Sequence, residues 1–227
     1  MMNTQLHTDF SQRVVVNTNT LPWLPSPMAG VERRQLERDG AEVARATSVV
    51  RYSPGAHFSP HLHELGEEFL VLEGTFEDEH GSYRPGTYVK NPPGSSHAPF
   101  TQSGVTLFVK LRHLDVGDTE RVVVDTQAAP WYPGLVAGLS VMPLYEYGVQ
   151  NTAMVRWAAD TRFNPHRHFG GEEIFVVSGT FEDEHGSYPS GTWIRSPHMS
   201  GHQPFSVQGC TILVKTGHLP LHQHQAT

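Results

Sequence analysis

His61, His63, Glu67 and His97 bring together three imidazoles and one carboxylate, the donor set of a divalent metal centre. His166, His168, Glu172 and His202 repeat the set, each 105 residues after its counterpart (166 − 61, for example). Both sets frame one string, Gly-Thr-Phe-Glu-Asp-Glu-His-Gly-Ser-Tyr, at Gly74 to Tyr83 and at Gly179 to Tyr188. A Pro-His-x-His-x-x-x-Glu-Glu segment precedes each copy and a lone histidine follows it. Neutral imidazoles and a carboxylate suit a first-row divalent ion, with coordination positions left for water or a ligand. The donors do not select among zinc, iron, manganese, nickel and cobalt; zinc is the first expectation, with up to two ions per chain. No acid, base or nucleophile beside these ligands marks itself as catalytic.

Strands must position such residues. A strand alternates its side chains with a period of two, so His61 and His63 share a face, as do His166 and His168. Glu67 can open the next strand beyond a turn at Leu65-Gly66, and His97 lies on a later strand after Pro92-Pro93-Gly94. Short apolar runs dominate the chain: Ser48–Tyr52, Glu68–Leu72, Thr87–Lys90 and Val105–Val109, with counterparts at Met154, Ile174, Thr192 and Thr211. Gly and Pro break them at the cadence of an all-β sandwich or barrel. Ser53-Pro-Gly55, Pro85-Gly86 and Pro93-Gly94 supply the fixed and positive φ values that tight turns use.

The repeat reaches beyond the metal residues. Arg13-Val-Val-Val16 recurs as Arg121-Val-Val-Val124 and Pro22-Trp23 as Pro130-Trp131, at an offset of 108 (131 − 23). The second half has therefore lost three residues (108 − 105) between Gly148 and Met154, where a shortened turn between two strands is expected. The reading is an all-β chain of two tandem small antiparallel β-barrels, at 10–114 and 120–219, joined by Asp115–Asp118 and related by a pseudo-two-fold axis. The Val14–Val16 and Val122–Val124 segments are expected to cross and add to the partner barrel's sheet.

These residues also carry a family resemblance. Gly55, His61, His63, Glu67 and Gly74 match the first motif of the cupins, and Gly86, Pro92, Gly94 and His97 match the second. In the second half Asp160 stands for the leading glycine and Met199 for the Gly94 equivalent, while Gly179, Gly191, Pro197 and His202 conform. The string GEE-x-F-V-x-x-G-T-F-x-DEHG-x-Y resembles, more narrowly, the cupin domain of ChrR-type anti-sigma factors. The resemblance covers nearly the whole chain and implies a bicupin of two jelly-roll domains. It assigns metal binding to His166, His168, Glu172 and His202, and equally to His61, His63, Glu67 and His97. ChrR-type proteins add an amino-terminal zinc helix bundle that holds a sigma factor. No counterpart to it is expected before Phe10, so direct sigma-factor binding is not expected.

Other polar residues read more plainly. Glu68 and Glu173 should face away from the ligands, and Glu77 to His80 and Glu182 to His185 read as charged hairpins. Arg33, Arg34 and Arg38, interrupted by Glu32, Glu37 and Asp39, read as a solvated loop or edge. Lys110 and Lys215 read as edge or interface charges, Cys210 as a small core residue, and His7, His113, His218, His222 and His224 as surface.

The chain has 227 residues, a formal net charge of −7 and one cysteine. The acidic balance argues against nucleic acid and anionic membrane partners. The lone cysteine excludes an intrachain disulfide and a zinc–thiolate cluster, and a reducing compartment is expected. With no signal-like start and no membrane-length apolar run, a cytoplasmic protein is expected. A small-molecule ligand and self-association into a homodimer are the partners this reading allows. Two functions fit: a small-molecule or oxidative-stress binding and sensing module, or a cupin dioxygenase acting on a small dicarbonyl or catechol-like substrate.

Overall fold

The computed structural model of the chain describes residues 5–221, so His222 and His224 lie outside the described residues. Apart from one 3-10 turn, Thr18–Thr20, every regular element among them is a β-strand. The chain divides into two compact units. One holds the described residues of Met1–Thr8 together with Leu21–Ala129, the other Asp9–Thr20 and the described residues of Pro130–Thr227.

In the first unit, Val31–Asp39, Arg45–Tyr52, Val105–Leu111, Glu67–Gly74 and Thr87–Asn91 pair in that order as an antiparallel sheet. Alternation sends Phe69, Val71, Val89, Leu107 and Val109 into one core with Phe76 and Tyr83. A short ladder of His61–His63 against Ser95–His97 forms a second layer. The second unit repeats the plan with Leu139–Tyr147, Gln150–Trp157, Cys210–Thr216, Glu172–Asp183 and Thr192–Ser196, and with His166–Arg167 against Gly201–His202. Its core gathers Ile174, Val176, Phe181, Ile194 and Ile212, and Cys210 lies buried among them.

The repeat openings are exchanged between sheets. Val14–Asn17 pairs with Thr192–Ser196, in register Val15↔Ile194. Val122–Asp125 pairs with Thr87–Asn91, in register Val123↔Val89. Each valine-rich segment thus adds to the sheet built from the other repeat, as their β-branched composition suggests.

The three missing residues also have a place. Val31–Asp39 and Arg45–Tyr52 are joined by residues 40–44, whereas Leu139–Tyr147 and Gln150–Trp157 turn through Gly148 and Val149 alone. The glycine that ends the first cupin motif is required by close approach. A Cβ at Gly74 (φ 74°) would lie 2.0 Å from the Gly104 carbonyl oxygen, and one at Gly179 (φ 72°) 2.1 Å from that of Gly209. Where the second half departs from the motif, the backbone does not: Asp160 (φ 59°) and Met199 (φ 61°) keep the left-handed conformation of Gly55 and Gly94.

Several polar residues differ from the sequence reading. Lys110 and Lys215 are not edge charges: their strands have neighbours on both sides, and each buried ammonium donates to a threonine, Thr47 or Thr152. His113 and His218 are buried rather than at the surface, 3.0 Å from Glu68 and 2.9 Å from Glu173. Those two glutamates do face away from the ligand side, but are buried and also accept from Tyr88 and Trp193. The arginine cluster is no solvated edge either. Arg38 is 3% exposed, on a strand paired along both sides. No helix among the described residues is long and apolar enough to cross a membrane.

Candidate metal centre

The His61–His63 strand pairs with Ser95–His97 so that His97 lies directly across from His61. Period-two alternation puts His63 on the same side, and the three rings meet with centroids 4.8 to 5.0 Å apart. Glu67, opening the neighbouring strand, places Oε2 3.5 Å from His63 Nε2 and 3.6 Å from His97 Nε2. The second half reproduces the figure: rings 4.5 to 5.0 Å apart, with Glu172 Oε2 3.5 Å from His168 and 3.6 Å from His202. The donor atoms of His166, His168, Glu172 and His202 all lie within 4.8 Å of one another, as do those of His61, His63 and His97.

These groups fit a cation. The Nε2 atoms of His63, His97, His168 and His202 are buried, aim at the centre of each cluster and have no hydrogen-bond partner. Donors about 2.1 Å from one ion at tetrahedral angles would stand roughly 3.4 Å apart, close to the observed separations. The outward ring nitrogens are engaged: His61 Nδ1 contacts the Ser59 carbonyl at 3.1 Å and His166 Nδ1 that of Asn164 at 3.0 Å. His97 Nδ1 lies 3.1 Å from Asp78 Oδ2, and His202 Nδ1 3.4 Å from Asp183 Oδ2. Such an outer carboxylate fixes ring orientation and tautomer, leaving Nε2 as the metal-facing lone pair.

Asp78 and Asp183, which hold the third histidine of each cluster, lie inside what reads from the sequence as a charged hairpin. The hairpins exist, Phe76–Asp78 with Gly81–Tyr83 and the matching turn in the second unit, but alternation turns Phe76 and Asp78 inward together. That period of two was the available signal. Asp78 Oδ1 accepts from the amides of His80 and Gly81 and from the Tyr83 hydroxyl; Asp183 Oδ1 accepts from the amides of His185 and Gly186 and from Tyr188. The exchanged strands contribute as well. Arg13 donates to Asp183 and Tyr188, while Arg121 donates to Tyr83 and Asn91, whose amide in turn donates to Glu67.

The electrostatics follow this wiring. Burial lowers the pKa of His63, and that of His168 to about 3, so both stay neutral donors at ordinary pH. Burial is the largest influence on His97 and His202 and opposes their charging, but the aspartate hydrogen bonds and the charges of the nearby carboxylates, Glu67 and Glu172 foremost, together outweigh it and their pKa values rise. Burial works against ionised Asp183, yet hydrogen bonds from His202 and Tyr188 prevail and lower its pKa to about 2. The halves differ at the carboxylate. Ser196 stands where Asn91 holds Glu67, and Glu172 Oε2 has no hydrogen-bond partner; burial raises the pKa of Glu172 to about 7.

A cavity of about 460 Å³ opens beside the first cluster. His61 and His63 form part of its wall, with Met28, Val50, Tyr52 and Leu107 among its apolar lining.

The chain matches the profile of the ChrR cupin-like domain twice, over residues 11–115 and 119–220. No curated protein sequence matches it. Its fold is similar to that of a candidate dioxygenase from Nostoc punctiforme, at 14% identity over 91% of this chain and 82% of the other, with a TM-score of 0.76. It is likewise similar to the Escherichia coli protein Ylba, at 16% identity over 97% and 96% of the two chains, TM-score 0.70. A third likeness is to a bacterial pirin from Escherichia coli in complex with nickel(II), at 14% identity over 92% and 99%, TM-score 0.64. With both halves matched, the chain belongs to the ChrR cupin-like domain family, as a bicupin carrying two of these domains in tandem.

Proposed function

We propose that this bicupin is a metal-dependent small-molecule binding and sensing module. Each half holds one divalent first-row ion, zinc foremost, through His61, His63, Glu67 and His97 or through His166, His168, Glu172 and His202. The observation that carries the reading is the convergence of buried, unbonded imidazole Nε2 atoms in both halves, with a buried aspartate fixing the third histidine. A bound ion would supply Lewis acidity and open coordination positions; iron in place of zinc would add one-electron chemistry. The chain's own residues hold His63 and His168 neutral and orient His97 and His202, and in the first half they leave His61 on the wall of a cavity. A cytoplasmic setting accords with the single cysteine, Cys210, buried as a free thiol.

A second reading, a cupin dioxygenase, is favoured by the same cavity, because a substrate with two oxygen donors could reach the first centre through it. The experiment that separates them loads the metal-free protein with Zn(II) or with Fe(II) and offers dicarbonyl and catechol-like compounds. Binding and sensing predicts saturable, metal-dependent ligand binding with no product and no oxygen consumption at either loading. Oxygen uptake with Fe(II) alone, abolished by His97→Ala, would overturn the sensing reading in favour of the dioxygenase. Ligand binding that is unaffected by metal removal would overturn both.

A further inference from the structure

The cavity of the first half has a polarity that the metal residues do not explain. On the strand Val31–Asp39, Arg33 pairs with Val50 and Arg38 with Ala46, and all four line the cavity. The two arginines are five positions apart (38 − 33), an odd spacing that would send them to opposite faces of a regular strand. The bulge between Gln35 and Glu37 absorbs the extra residue and turns Arg38 inward. Arg34, between them, goes to the other side and stacks over Trp23 at 4.2 Å.

The cavity wall carries three arginines and three glutamates, but they are not all paired with one another. Arg112 is paired with Glu64 at 2.6 Å, and Arg33 lies 3.6 Å from the half-exposed Glu42. Arg38 is different. It is almost wholly buried, its Nη2 donates to the Ala41 carbonyl, and its Nε has no hydrogen-bond partner. No carboxylate of the described residues lies within ion-pairing distance of it. Glu42 favours its charge, but less than burial and Arg33 oppose it, and a buried guanidinium with an idle donor is costly unless a ligand supplies an anion. Arg38, Ala46, Leu111 and Glu67 stand on one register row across four adjacent strands. Three strand spacings, about 14 Å along the curved sheet, therefore separate the arginine from the metal-side carboxylate.

We propose that the first-half cavity binds a small carboxylate-bearing molecule, its carboxylate on Arg38 and Arg33 and a second oxygen donor directed at the His61–His63–His97 cluster. The apolar wall between the two ends, formed by Val50, Leu107 and Val109, calls for an apolar body. The second half is not built for this anion. Val141 and Glu146 occupy the positions of Arg33 and Arg38, and the shortened Gly148-Val149 turn lacks the counterpart of Glu42, Val43 and Ala44, which line the first-half cavity. The halves thus divide their roles: the first receives the ligand and the second keeps a metal centre without this anion site. The inference deepens the proposed function and rests on its reading of the first cluster as the metal end of the cavity.

The test is calorimetric titration of the zinc-loaded chain with salicylate and phenylpyruvate, each beside a neutral isostere, salicylamide and methyl phenylpyruvate. At least one acid is expected to bind at least tenfold more tightly than its isostere. Arg38→Gln should weaken that acid by tenfold or more and Arg33→Gln by less, with metal content unchanged. Arg38→Lys, which keeps the charge without the planar fork, should retain part of the affinity and guards against misreading a folding defect. Equal binding of acid and isostere, no binding of either acid, or acid affinity within twofold of wild type in Arg38→Gln would overturn the proposal. Metal analysis of the same samples separates the two readings. Arg38-dependent acid binding to a chain that retains no metal would sink the metal reading and leave the anion site standing.

Discussion

Replacing Asp78 by asparagine should weaken metal binding in the first half by about 10- to 100-fold, or roughly 1.4 to 2.7 kcal/mol. The substitution keeps the side-chain volume. Asp78 Oδ1 already accepts from two backbone amides and from the Tyr83 hydroxyl, so an asparagine would keep its oxygen on those three donors. Its NH2 group would then occupy the place of Oδ2, 3.1 Å from His97 Nδ1. An NH2 can only donate there, so Nδ1 must accept and the ring proton must move to Nε2, the atom the metal needs. In the second half the same change, Asp183→Asn, should act near the tenfold end of the range. The contact to His202 is longer, 3.4 Å, and Arg13 already shares Oδ2 at 2.9 Å. The assay is a competitive zinc titration against a chromophoric chelator, with the other half silenced by His202→Ala or His97→Ala. The reasoning fails if Asp78→Asn shifts the affinity by less than twofold. It also fails if Tyr83→Phe, which leaves the Asp78–His97 contact in place, costs as much.

Three further outcomes are expected. Met199→Gly should raise the melting temperature by the equivalent of about 0.5–1 kcal/mol. It removes a left-handed penalty of roughly 1–2 kcal/mol for an L-residue, part of which is offset by the freer unfolded glycine. A decrease on thermal melting would refute this. Gly74→Ala should cost more than about 2 kcal/mol in chemical denaturation, because a methyl group would meet the Gly104 carbonyl; a neutral result would contradict the close approach. Zinc at a hundredfold excess over its Kd should stabilise each site by about 2.7 kcal/mol and a chelator should remove that gain, so a melting curve indifferent to both would argue against binding to the folded state.

The repeat made the candidate metal residues legible, because two runs of sequence hold the same donor types at a constant offset. The strands were legible too, since alternating apolar runs between Gly and Pro turns state their own faces. The arginines were not. A solvated edge was the natural reading of Arg33, Arg34 and Arg38, and only the bulge after Gln35, invisible to a period-two count, turns Arg38 toward the cavity. Asp78 was hidden for a different reason: contiguous acidic residues suggest a solvated turn, and the inward pairing with Phe76 emerges only once the hairpin register is known. Lys110 and His113 read as edge and surface groups because the face of an antiparallel sheet away from its core is usually wet, whereas both are buried there beside Glu68.

Elemental analysis after zinc loading and desalting shows whether each half holds one metal ion. Close to two ions per chain are expected for the wild type, one for His202→Ala or for His97→Ala, and none for the double variant. A wild-type chain that retains no ion, or a double variant that retains as many as the wild type, would contradict one metal centre in each half.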